Sequence, residues 1–369
     1  MNMRRPSLIH TFLLAAAALM WSTCTFGAER FSNAMAAWEA GDIEEAKALW
    51  TTLATEGDAA SQYELGRLYQ FGAGVPKNLA TAVGWYQKAA DQGFDSALTA
   101  LAWRYYKGEG VTQSYKEAIH WFTRSAVNGD KTAQNQVGWM FMNGLGTVEN
   151  AEEARKWFQD AASQGHIEAQ NNLGWMYLNG KFGVPDSTQA VHWISLAAEQ
   201  GHPGAQDNLG WIYETGQAGE QNSTKAIHWY RKAGVKGHVG AQVKLGTIYY
   251  NGTDISPDFY NARHWFEMAA HQNNVTAQFN LGVMLFNGEG GSKDIDQAIL
   301  WIEKAANQKM AIAQYTLGMF YQDGKLIERD LESARYWLNQ AALNYAPGDD
   351  FLDDLARRIK LLLTGEQDS

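Results

Sequence analysis

Tryptophan recurs in this chain at Trp85, Trp121, Trp157, Trp193, Trp229, Trp265, Trp301 and Trp337, each 36 residues after the last. Three residues before each stands an alanine, from Ala82 and Ala118 through to Ala334. A glycine column runs in the same register from Gly72 to Gly324, and a small-residue column from Gly66 through Ala102 to Gly318. Length alone would divide 369 residues into two or three globular domains at roughly 100–200 residues each. A fixed period without an insertion points instead to a repeat array, in which each unit buries its faces only against its neighbours.

Each unit reads as two helices. Helix A is represented by "AQNNLGWMYLNG" from Ala169, where Ala169, Leu173 and Tyr177 fall at i, i+4 and i+8 on one face. Gly180 ends it, in the manner of a residue able to take the left-handed conformation. Helix B is "STQAVHWISLAAEQG", with Ala190, Trp193, Ala197 and Ala198 as its inner stripe and Gly201 as its end. Small residues at Gly174 and Ala190 let the two backbones approach, and Trp193 is expected to fill the space beside them.

These residues carry a family resemblance. The pattern A-x-x-x-L-G-x-x-Y-x-x-G-x-G-V, then A-x-x-W-[YF]-x-K-A-A-x-x-G, resembles the Sel1-like repeat, a relative of the tetratricopeptide repeat. Ser61 to Gly93 matches it almost throughout. The resemblance implies an all-α, right-handed superhelical solenoid of helix-turn-helix units, with helix A lining the concave side. Eight units are expected over 58–345. Residues 28–57 resemble a tetratricopeptide hairpin, with Leu49 in the Trp place, and are expected to cap the N-terminal end. Residues 346–369 hold the amphipathic "DDFLDDLARRIKLLL", expected to cap the other end or to dock a partner.

Residues 1–27 read as a Sec-type signal peptide. Arg4 and Arg5 precede an apolar run, Thr11 to Trp21, and small residues follow at Thr25, Gly27 and Ala28. Export to a periplasmic or secreted location is therefore expected, with cleavage after Gly27 or Ala28. An uncleaved anchor is the alternative. Cys24 is the chain's one cysteine, and "WSTC" fits a lipoprotein signal poorly at Trp21 and Thr23. No later run reaches the ~18 apolar residues of a membrane span. A net charge of -10, with no basic stripe, argues against nucleic acid as a partner.

Catalytic patterns are missing. The sequence holds no nucleophile elbow, phosphate-binding glycine loop, paired-histidine zinc helix or Ser-x-x-Lys. Histidines fall into repeat columns: His120, His192, His228 and His264 precede the helix B Trp, and His166, His202 and His238 follow the glycine ending helix B. Column members stand about 10 Å apart in neighbouring layers, too far to share a metal held at about 2 Å. No cofactor and no metal is implied. Cysteine-rich relatives of the Sel1-like family have been described as β-lactam hydrolases or binders, but the paired cysteines of those proteins are absent here.

What remains is a face. Counting helix A from its first small residue, such as Ala133, positions 1, 5, 8 and 9 (Ala133, Val137, Met140, Phe141) form the expected core stripe, at about 100° per residue. Positions 3, 7 and 10 fall opposite. Position 7 gives Arg67, Trp103, Trp139, Trp175 and Trp211; position 3 gives Tyr63, Asn135, Asn171 and Asp207; position 10 includes Tyr106. Aromatic residues turned away from a core suit a partner interface, and asparagines can both donate to and accept from a peptide backbone. The expectation is a non-enzymatic protein-binding module with these residues as its contact set, in the concave groove. Its partner would be a peptide segment or a folded domain. The family resemblance offers an immunity protein or an envelope or host-contact scaffold as roles. Self-packing of the Trp ladder, a cell-wall or β-lactam hydrolase, and glycan binding on the Trp faces are the alternatives.

Overall fold

The computed structural model describes residues 28–344 apart from 182, 218, 220, 253 and 254. The segments expected as signal peptide and C-terminal cap lie outside the described residues. Every regular element among the described residues is a helix. Helix α1 covers residues 28–39 and α2 Ile43–Glu56. Then helices A and B alternate: α3 Ala59–Phe71 and α4 Leu79–Asp91, α5 Asp95–Lys107 and α6 Tyr115–Val127, α7 Lys131–Met142 and α8 Ala151–Ser163, α9 Ile167–Leu178 and α10 Ser187–Glu199. They continue with α11 Pro203–Thr215 and α12 Ser223–Val235, α13 Val239–Asn251 and α14 Phe259–His271, α15 Val275–Asn287 and α16 Ile295–Asn307, α17 Ala311–Asp323 and α18 Leu331–Asn344. The chain divides into two compact units. The first ends at Met176 and takes in Lys181 and Gly183; the second holds Tyr177–Gly180 and everything from Val184 onward.

The first unit is a stack of hairpins. Its α1–α2 pair turns at Gly41 and closes on Ala34, Ala46 and Trp50, with Trp38 and Trp50 rings 5.7 Å apart. In the hairpins that follow, helix A presents a glycine to helix B, or an alanine at Ala102 of α5. A Cβ added at Gly138 would stand 2.8 Å from Cδ1 of Phe158, and Gly66 meets Tyr86 in the same way. The second unit repeats the contact with Gly210 on Tyr230, Gly246 on Phe266, Gly282 on Ile302 and Gly318 on Leu338.

The residue seated on the glycine is therefore the one after the Trp, while Trp193, expected beside the glycine, is buried on the inner stripe with Ala190, Ala197 and Ala198. Tyr86 or Phe158 lies four residues after the buried alanine of the repeat column, Ala82 or Ala154, so it faces helix A squarely, and the preceding Trp is turned about 100° aside. There the Trp ring covers the flank of the stack under a cation from the next turn. Lys88 Nζ lies 4.1 Å from the Trp85 ring and the Arg124 guanidinium 4.7 Å from Trp121; in the second unit Lys232 lies 4.2 Å from Trp229 and Lys304 3.8 Å from Trp301.

Helix A buries most of the expected stripe and adds a glutamine and a glycine to it. In α7 it is Ala133, Gln134, Val137, Gly138 and Met140, with Phe141 only half-buried. The glutamine has a reason to be inside. Gln134 Nε2 donates to Ala126 O at the end of the preceding helix B at 3.1 Å, and its Oε1 accepts from Gln164 Nε2 at 2.7 Å. Gln62 does the same with Ala54 O and Gln92. In the second unit Gln242 pairs with Gly234 O and Gln272, Gln278 with Ala270 O and Gln308, and Gln314 with Ala306 O and Asn344. Each such amide adds a side-chain donor to a last-turn carbonyl that already accepts the backbone N–H of the turn, and so joins one hairpin to the next.

Most helix B ends turn on a left-handed glycine. In two units the place is taken by Asn273 (φ 64°) and Lys309 (φ 67°). Left-handed backbone costs a residue with a Cβ about 1–2 kcal/mol. Lys309→Gly is thus expected to raise stability by about 1 kcal/mol in urea unfolding. Gly138→Ala, which drives a methyl into Phe158, should lower it by about 1–3 kcal/mol in the same measurement.

Candidate functional site

The expected contact residues stand on helix A at the places left over once the glycine and glutamine face helix B. In the first unit these are Tyr63 and Arg67 on α3, Trp103 and Tyr106 on α5, Asn135 and Trp139 on α7, and Asn171 and Trp175 on α9. They are not equivalent. Trp103 sets its ring edge against Phe122 at 5.1 Å and Tyr106 at 5.4 Å, and Tyr106 in turn meets Tyr115 at 5.3 Å. Both are tied into their own hairpin. Tyr63 sits half-buried with Tyr86 at 5.6 Å and Phe94 at 5.5 Å, and burial pushes its hydroxyl pKa up against the pull of Arg67. Arg67 pairs with Glu64 at 3.0 Å.

Trp139 and Trp175 are the open members, 38% and 37% exposed. Lys181 Nζ lies 5.9 Å from the Trp175 ring. Asn135 has a structural use that the sequence did not disclose. Its Oδ1 accepts from Asn172 Nδ2 at 3.2 Å, linking α7 to α9. An amide in this column is therefore not by itself a sign of a ligand.

In the second unit Trp211 is half-buried against the core. Asp207 faces a histidine: its Oδ1 stands 3.5 Å from His238 Nδ1. The same Nδ1 accepts from Ala241 N at 3.3 Å, capping α13. Neutral His238 can serve the cap through its lone pair; protonated, it donates to Asp207 instead. The Asp207 carboxylate, to which the protonated ring would donate, raises the His238 pKa against the effect of burial. His166 and His202 likewise accept from Ala169 N at 3.2 Å and Ala205 N at 3.0 Å, so this histidine column is a set of helix caps. Burial holds His166 below the ordinary histidine pKa, opposed by Glu168.

The same columns make a cavity where there is no tryptophan. Thr247, Tyr250, Phe279 and Val283, from positions 3, 7 and 10 of α13 and α15, line a hollow of about 230 Å³ with Phe266 and Asn280. Selection by tryptophan alone passed over it, although the column positions were the right signal. Among the described residues no group of three or more His, Cys, Asp or Glu could hold a metal ion, and no helix is long and apolar enough to cross a membrane.

The Sel1 repeat model matches residues 59–94, 95–130, 131–166, 167–202, 203–238, 239–274, 275–310 and 311–344. Among solved structures, a Sel1 repeat protein from Oxalobacter formigenes is similar at 28% identity and a TM-score of 0.69, over 84% of this chain and 90% of that one. A protective antigen present in uropathogenic Escherichia coli strains, displaying an SLR fold, is similar at 28% identity and a TM-score of 0.60, over 94% of this chain and 82% of that one. No curated protein matches the chain. Solenoids of this kind generally mediate protein–protein interaction and are typically non-enzymatic; no catalytic family is indicated.

Asp207→Asn should lower the His238 pKa in an NMR titration. A folded-state pKa raised above the unfolded value stabilises the protein below the unfolded pKa, and that contribution fades as pH rises through the folded value. The wild-type margin of thermal stability over Asp207→Asn should accordingly be greatest at acid pH and shrink through the His238 titration.

Proposed function

We propose that this chain, which belongs to the Sel1 repeat family, is an exported protein-binding module that holds a segment of a partner protein on its helix A face. The observation that carries the reading is the exposure of Trp139 and Trp175 on successive A helices, at positions turned away from the buried Gln–Gly stripe. An indole combines a large apolar surface with an N–H donor, and leaving two of them more than a third open to water forgoes hydrophobic stabilisation that burial would supply. A partner segment laid across them recovers it. Trp103 and Tyr106, locked in their hairpin, would give that segment a rigid neighbouring surface.

Export is supported by the basic start at Arg4 and Arg5, the apolar run that follows, and a chain whose one cysteine lies at Cys24 within that region. The partner is accordingly placed in the cell envelope or outside the cell.

A pull-down from an envelope fraction tests the reading, with the chain from residue 28 as bait beside its Trp139→Ala/Trp175→Ala variant. Proteins held by the wild type and lost from the variant are the expected result. For a partner so found, each single replacement should weaken binding by more than about 1 kcal/mol. Capture of the same proteins at the same strength by both baits would sink the proposal.

A further inference from the structure

Two grooves occupy the same place in the repeat, one in each compact unit. The first, about 370 Å³, is lined by Leu98, Arg124, Val127 and Asn128. The second, about 530 Å³, is lined by Gln206, Lys232, Val235 and Lys236, together with Glu199 and Arg231. Both coincide with an interruption of the glutamine link. At the first, Leu98 stands where Gln62 and Gln134 stand in neighbouring hairpins. At the second, Lys236 replaces the residue that is Gln92, Gln164, Gln272, Gln308 or Asn344 at the joined positions.

The two interruptions differ in what they leave behind. Leu98 needs no hydrogen bond, Asn128 donates to Asp95 at 2.6 Å, and Arg124 donates to Ala90 O at 3.2 Å. Gln206 still donates to Ala198 O at 3.0 Å, but its Oε1 is buried with no hydrogen-bond partner. The side chain is only 3% exposed. Everywhere the link is intact this oxygen accepts an amide N–H. Lys236 does not supply a substitute; its Nζ donates to Gly201 O at 2.6 Å instead.

Around this acceptor the charge is inverted relative to the chain as a whole, which carries -10. Arg231, Lys232 and Lys236 line the groove against Glu199 alone. Each cation rests on a neutral group: Arg231 on the Tyr249 hydroxyl at 2.7 Å, Lys232 on the Trp229 ring, Lys236 on the Gly201 carbonyl. Exposed Val235 adds an apolar contact between them.

We propose that this groove binds an acidic peptide segment, one of whose amide N–H groups donates to Gln206 Oε1 while neighbouring carboxylates pair with Arg231, Lys232 and Lys236. The missing donor is an amide in every intact joint, and a peptide brings amides spaced between its carboxylates. A carboxylate that draws Lys236 Nζ off the Gly201 carbonyl opens the way to Oε1, and the charge-assisted contacts so formed replace neutral ones. The groove shares no residue with the tryptophan columns, so the proposal stands independently of the helix A reading.

The test uses fluorescein-labelled, N-acetylated hexaglutamate in an anisotropy titration against the chain from residue 28. Lys236→Gln installs the residue of the intact joints. It is expected to raise the thermal midpoint and to weaken the peptide at least tenfold. Lys236→Ala removes the same charge but leaves Oε1 unpartnered, and should weaken it only two- to threefold. Equal affinity of wild type and Lys236→Gln overturns the site. Equal losses in the two variants overturn the amide contact, as does equally tight competition by a sulfated oligosaccharide of matched charge.

Discussion

The hairpins depend on the contact between a helix A glycine and the side chain laid over it from helix B. Tyr86, Phe158, Tyr230 and Phe266 are fully or almost fully buried on Gly66, Gly138, Gly210 and Gly246. With no Cβ at that place, the two backbones approach until an aromatic ring fills the whole gap, and the hairpin angle follows from it. Other positions are placed by consequence. The Trp before the ring goes to the flank, where a lysine or arginine covers it. The glutamine four residues before the glycine meets the end of the preceding hairpin. Positions 3, 7 and 10 flank that contact, and some of them reach helix B from the side, as Tyr63 does at Tyr86 and Trp103 at Phe122.

The period of 36 made the hairpins and their ends legible, because glycine at a turn and small residues at a close approach are requirements of backbone geometry. Two features were harder to read. A ring at i and a ring at i+1 on helix B both lie near the inner stripe, so the spacing does not say which of Trp193 and the residue after it covers the glycine. The glutamine column gave no signal of its use, because one partner lies eight residues before it in the preceding hairpin and the other 30 after it at the far end of its own. Periodicity read within one unit finds what a unit does for itself and misses what it does for its neighbours.

The contact face shows the same limit. Its columns were legible from helical spacing, yet the spacing could not separate Trp103, whose edge is held by Phe122 and Tyr106, from Trp139, which stands open. That difference depends on what the neighbouring positions carry: aromatic rings at Tyr106 and Tyr115 in one hairpin, Met142 and Ala151 in the next. Asn135 and Asn172 bond to each other across successive A helices, so an amide in the column can be scaffold. The hollow around Phe279 and Val283 carries the opposite lesson, that a column without tryptophan can still shape a recess.

In an array where every unit obeys one grammar, specificity must come from departures from it. The joints with paired glutamines are closed, because each donor and acceptor already has its partner. A groove opens where the pairing fails, and its chemistry depends on how it fails. Replacing the glutamine itself, as at Leu98, removes acceptor and donor together and leaves an apolar recess. Replacing only its partner, as at Lys236, strands one oxygen and adds a positive charge beside it. A buried acceptor without a donor is destabilising in the folded chain, so the second kind of departure is sustained at a cost that the first avoids. Position 206 could have been closed by a glutamine at 236, as at four other joints, and it is the combination of the kept acceptor with the substituted donor that turns a repeat joint into a candidate binding site.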